Sequence, residues 1–174
     1  MTSLCVFAQY TPWAGIDAID GARHCLNALH GLDLGVADNP IFGAATLTPT
    51  AIHSGPTATH TVQDIAEMTF DRRLLPGEDP DAAFAFIRDA LPLADPWRID
   101  CRRGPFMYPN EVADDGPLMT LLRAAYADAG LGAAEKVVCN FALDAGYFGH
   151  SRIEAVMLGP GEIDQFHSEE EHVQ

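Results

Sequence analysis

The sequence predicts a mixed α/β (α+β) chain: a two-layer β-α-β-β-α-β unit followed by a partial α/β unit. Three observations carry this prediction. Within Ala14 to Leu32, the apolar residues Ile16, Ile19, Ala22, Cys25, Leu26 and Leu29 recur at steps of one to four residues, the pattern of an amphipathic helix. Within Ile65 to Phe70, the residues Ile65, Glu67 and Thr69 alternate with Ala66, Met68 and Phe70, the pattern of a half-buried strand. The 174 residues are 48% hydrophobic and 20% charged, enough apolar material for a real core, which excludes a disordered or low-complexity chain.

The elements follow in order. Leu4 to Gln9 reads as a short strand that Thr11-Pro12-Trp13 breaks, and the amphipathic helix comes next. After a polar loop from Asp33 to Pro40, Ala44 to Ile52 and Thr61 to Leu74 are β-rich, with Ser54-Gly55-Pro56 turning between them. Asp79-Pro80 is a helix start, proline being favoured in the first turn, and the helix runs to about Ala90. Trp97 to Cys101 is a further strand. The resulting order matches the split β-α-β, ferredoxin-like sandwich.

Arg102 to Gly116 is a long irregular connection, and the boundary falls inside it, giving units of 1–104 and 105–174. In the second, Leu118 to Ala129 reads as a helix, Lys136 to Phe141 as a buried strand, Asp144 to His150 as helical or turning, and Ile153 to Leu158 as a strand. Two strands leave a sheet short of partners, so this unit reads as the last part of a larger α/β domain.

Charge narrows the partners. Ten Lys and Arg stand against 25 Asp and Glu, for a net charge of −15. Phosphate affinity comes from clustered basic residues, so nucleic acid and anionic membrane surfaces are excluded as general partners. Lys136 is the sole lysine. The remaining positive charge sits on arginine, whose planar fork suits carboxylates, although biased composition explains this equally well. The four cysteines are far apart and form no C-x-x-C pair, which excludes a Cys-rich zinc site. The opening MTSLCVFAQYTP shows neither a basic n-region nor a cleavage site and reads as cytoplasmic.

Few residues carry chemistry. The segment Gly159-Pro160-Gly161 follows a strand and delivers His167 six residues later, at the carboxyl edge where α/β folds bind ligands. His167 is a candidate metal ligand or acid/base, the alternative being a solvated tail histidine. Arg72 and Arg73 stand at a strand end, suited either to a substrate carboxylate or to ion pairs with Asp71, Glu78 or Asp79. His53 and His60 bracket Gly55-Pro56 as metal or substrate contacts, or as solvated turn residues.

Several stretches together resemble the zinc-dependent amidohydrolase and peptidase family of acetylornithine deacetylase, succinyl-diaminopimelate desuccinylase and carboxypeptidase G. They are TPWAGIDAIDGA, GPTATHTVQDIAEMTFDRRLLPGEDPD, DGPLMTLLRAAY with LDAGYF, and AVMLGPGEIDQFHSEEEHV. The resemblance implies a ferredoxin-like lid that dimerises, over 1–104, and the C-terminal portion of a zinc-binding catalytic domain, over 105–174. It implies His167 as a zinc ligand, and Arg73, Gly159, Pro160, Gly161 and His60 as substrate-binding positions. It implies zinc as cofactor, a homodimer through the lid, and hydrolysis of amide bonds in N-acyl amino acids or peptides. The family's lid histidine falls on Ala8, and its H-x-D segment and paired glutamates have no counterpart here. No catalytic residue is therefore assigned. The chain is expected to be incomplete and inactive alone, or else a non-catalytic module that dimerises or binds a partner.

Overall fold

A computed structural model describes the backbone of residues 2–7 and, in full, residues 16–55, 61–92, 95–139, 141–159, 165 and 169. It divides into two units, Met1–Pro109 and Asn110–Gln174.

Unit 1 holds β1 (Thr2–Phe7), α1 (Ala18–Leu29), β2 (Thr46–Gly55), β3 (Ile65–Arg73), α2 (Pro80–Asp89) and β4 (Arg98–Arg103). The strands form one sheet in the order β2-β3-β1-β4 with every neighbouring pair antiparallel. This is the mixed α/β, ferredoxin-like plan predicted from element order.

Local chemistry sets the helix starts. Asp17 caps α1 by accepting from the Ile19 amide at 2.9 Å, and Asp79 caps α2 by accepting from the Ala82 amide at 2.8 Å, with Pro80 in the first turn. The inward face of α1 is built from Ala18, Gly21, Ala22, Cys25 and Leu29, whose small residues let the helix approach the sheet closely. Ala18, Ala22, Cys25 and Leu29 pack with Ala66, Met68 and Phe70 of β3, and with Ile87 and Leu91 from the α2 segment. The predicted alternation in β3 is therefore realised, with 66, 68 and 70 buried and 65, 67 and 69 on the other face. The Trp97 indole donates to the Asp17 carbonyl at 2.9 Å and ties the start of β4 to the cap of α1.

Two readings are corrected in unit 1. Ser54 and Gly55 belong to β2 rather than to a turn, because the ladder with β3 continues to the Gly55–Ile65 pair. The first helix is shorter than the apolar period suggests: His30 takes a β conformation as its C-cap, and Gly31 follows at φ +67°.

Unit 2 contains α3 (Pro117–Asp128) and α4 (Ala145–His150). The segments read as strands, Lys136 to Phe141 and Ile153 to Leu158, form no ladder among the described residues. A β-rich sequence becomes a strand only when a neighbour meets its backbone groups, and none does so among the described residues. Polar side chains hold the unit instead. The Asn110 side-chain amide donates to the Ala155 carbonyl at 2.8 Å, and the Lys136 ammonium donates to the Val112 carbonyl at 2.8 Å. Glu154 accepts from the Leu118 amide at 3.3 Å at the start of α3.

Candidate functional site

The end of β3 is the best-built polar region in unit 1. Direct cross-strand partners share a face, so the register places Thr46, Thr48, Ala51 and His53 of β2 beside Arg73, Asp71, Thr69 and Glu67 of β3 on the face away from the helices. Arg72 points the other way. Its guanidinium is paired with Glu78, the two side chains only 7% and 11% exposed, and it also donates to the Arg73 carbonyl. Glu78 in turn accepts from the Leu75 amide at 2.5 Å. One arginine of the pair is thus consumed in closing the turn after β3. Arg73 is exposed and bonds the Asp71 carboxylate through Nε at 2.8 Å. Of the three acidic partners considered for this segment, Asp71 pairs with Arg73 at the surface and Glu78 pairs with Arg72 out of solvent. The sequence signal for their division of labour is the alternation itself, which carries inward positions 66, 68 and 70 on to 72.

His53 is exposed on β2, opposite Glu67. Gly159 is exposed, and a Cβ added there would meet nothing within 4 Å. His60, Pro160, Gly161 and His167 lie outside the described residues. Among the described residues no group of three or more His, Cys, Asp or Glu side chains could hold a metal ion, and no chemical step is derived through one. No helix among them is long and apolar enough to cross a membrane.

The sheet has two contrasting edges. The edge strand β4 (RIDCRR) carries Arg98, Asp100, Arg102 and Arg103, with Arg102 paired to Asp100 at 2.6 Å. Charges of this kind discourage strand addition. The edge strand β2 (TLTPTAIHSG) has no Lys, Arg, Asp or Glu, exposes Ile52, and is irregular only between Pro49 and Ala51. Beside it opens a cleft of about 200 Å³, lined by Leu26, Leu29, His30, Leu47, Pro49 and Phe70 and not by Arg73. The sequence signal that separates the two edges is the absence of charge across the ten consecutive residues of β2.

Two thiols lie in the core. Burial pushes the Cys25 thiol up to about 11, and the neighbouring Cys101 adds to the effect. Cys101 is raised as well, chiefly by burial, with Arg88 opposing and Asp100 reinforcing. Neither is poised as a nucleophile.

Unit 1 is thus a split β-α-β sandwich with one uncharged edge and one charged edge. Residues 8–98 match the peptidase dimerisation domain of the M20 peptidases, and the chain belongs to that family. The fold is also that of several solved structures. A tripeptidase from Staphylococcus aureus aligns with TM-score 0.61 and 17% identity, over 87% of this chain and 40% of its own. The aminopeptidase PepT from Bacillus cereus aligns with TM-score 0.58 and 17% identity, over 88% and 41%. A hydantoinase/carbamoylase family amidase from Burkholderia ambifaria aligns with TM-score 0.56 and 20% identity, over 88% and 37%. The chain thus spans about two fifths of the length of these structures. At these identities the likeness is one of fold. No curated protein matches the sequence.

Proposed function

We propose that this chain is the dimerising, substrate-lid portion of a metal-dependent hydrolase of amide bonds in N-acyl amino acids or peptides. By its own residues it associates but does not catalyse. The observation that carries the reading is the uncharged edge strand β2 on a domain of the dimerisation family, set against a charged β4. Two copies joined at β2 would extend one antiparallel sheet through a two-fold axis, each copy supplying the same strand.

In this reading residues 1–104 form the lid and 105–174 the C-terminal portion of a catalytic α/β domain. Arg73 offers its guanidinium to a substrate carboxylate from an exposed position at the end of β3. Gly159, Pro160 and Gly161 border the substrate, His60 contacts it, and His167 contributes an imidazole to a zinc site completed by ligands that are not in this chain. Zinc in such a site would polarise the amide and activate water.

The test is the molar mass of the full chain by light scattering, with Thr48→Lys and Ile52→Lys as variants at β2. A dimer that both variants convert to monomer is expected. A strict monomer at high concentration, or a dimer indifferent to both, overturns the β2 interface. Zinc equilibration and desalting should leave far less than one ion per chain. Two tightly held ions would overturn the assignment of the chain as non-catalytic.

A further inference from the structure

The sheet of unit 1 carries its residues in cross-strand rows. Ile99 and Cys101 of β4 pack on the core together with Ala66, Met68 and Phe70 of β3. Strand alternation therefore puts Arg98, Asp100 and Arg102 on the opposite face, with Ile65, Glu67 and Thr69. The registers join three such rows across all four strands. One runs Gly55, Ile65, Phe7, Arg98, and another runs Ala51, Thr69, Ser3, Arg102. Between them runs His53, Glu67, Cys5, Asp100. Every member of this middle row is a residue type that ligates metals, and the rows on either side contain no His, Cys, Asp or Glu.

We propose that this middle row is a binding site for a zinc-type divalent ion, centred on Glu67 and Cys5 and completed by His53. Neighbouring strands lie about 4.8 Å apart, so three adjacent members of a row span about 10 Å. An imidazole, a carboxylate and a thiolate can meet one ion across that span through bonds of about 2.0 to 2.3 Å. The mixture of ligand types selects the metal. Magnesium and calcium take oxygen ligands, whereas thiolate with imidazole suits zinc and cobalt. Asp100 stands at the far end and is engaged by Arg102 at 2.6 Å, so it is left out of the ligand set. Cys5 enters through its backbone register; without it, the described side chains form no group of three. His53 and Glu67 are exposed, which leaves a fourth position to water and makes the ion quick to exchange and lost on desalting. A net charge of −15 favours the approach of a cation. The inference uses unit 1 alone and does not depend on the hydrolase reading or on an interface at β2.

The experiment titrates the full, reduced chain with cobalt(II) and then displaces the cobalt with zinc. The expected result is saturable binding of one ion per chain with a thiolate-to-cobalt charge-transfer band that zinc removes. Cys5→Ser should abolish the band, and Cys139→Ser should keep it. His53→Ala and Glu67→Gln should each weaken binding about tenfold or more. Far-UV circular dichroism checks that the variants keep their fold, and the two exposed positions test the row independently of Cys5. Absence of saturable binding overturns the proposal, as does a band that survives in Cys5→Ser. Binding indifferent to both His53→Ala and Glu67→Gln overturns it too. His167→Ala should leave the titration unchanged. Binding lost in that variant overturns the row and supports the hydrolase reading instead, so the two readings fail separately.

Discussion

Arg72 and Glu78 form an ion pair that is almost wholly buried, the two side chains 7% and 11% exposed, across the turn that ends β3. Around it, Glu78 accepts from the Leu75 amide and Arg72 donates to the Arg73 carbonyl, so the pair also meets backbone groups that would otherwise go unsatisfied.

Breaking this pair from one side should be costly. Glu78→Ala leaves a buried guanidinium without its counter-charge, and a loss of about 3 kcal/mol in urea unfolding is expected. Arg72→Met together with Glu78→Leu removes both charges and should lose far less. Equal losses for the single and double variants would show that the charges are not what the turn relies on.

Alkaline pH should weaken unit 1. The Cys25 thiol has an ordinary value of 9.0 and stands at about 11 when folded, so the folded state holds its proton longer than the unfolded chain does. The stability tied to that proton is complete below pH 9 and is lost as pH rises towards 11, by an amount on the order of 2 to 3 kcal/mol. Melting temperature measured from pH 8 to 11 should fall, and Cys25→Ala should flatten the slope while lowering the plateau. A pH profile identical in the variant would remove Cys25 as the cause.

Gly149 should resist substitution. A Cβ there would meet the Asn110 side-chain oxygen at 2.5 Å, and that side chain is already committed to the Ala155 carbonyl. Gly149→Ala is expected to cost about 1 to 2 kcal/mol by displacing the Asn110 hydrogen bond. The loss should appear as faster exchange across α3 and α4 with β3 unaffected. An equally stable variant would mean that Asn110 can swing aside freely.

Asp79→Ala removes the side-chain acceptor for the Ala82 amide at the start of α2. The expected cost is about 1 kcal/mol, read as a lower urea midpoint with unchanged slope. Asp79→Asn should recover most of it, because the amide oxygen can still cap.

Unit 1 was legible in the sequence because its signals are local. Inward residues at 66, 68 and 70 declare one face of a strand, Asp79-Pro80 declares a helix start, and the α1 apolar positions declare a buried stripe. Unit 2 was less legible for a physical reason. Val137 and Val138 have strand-forming side chains, but a strand is a relationship between two segments, and sequence shows one at a time. The same limit applies to the candidate site. Arg73 reads as exposed from the alternation, whereas the burial of Arg72 against Glu78 depends on how the turn through Pro76-Gly77 brings residue 78 back.

The charged β4 edge has a consequence for copy number. A filament grows only if each subunit offers two adhesive borders, one for the copy before and one for the copy after. With arginine and aspartate along one border of this sheet and none along the other, strand-to-strand growth would have one border to start from and none to continue on. Joining two copies through β2, as proposed, would use up that place in both, and growth of the sheet would end at two.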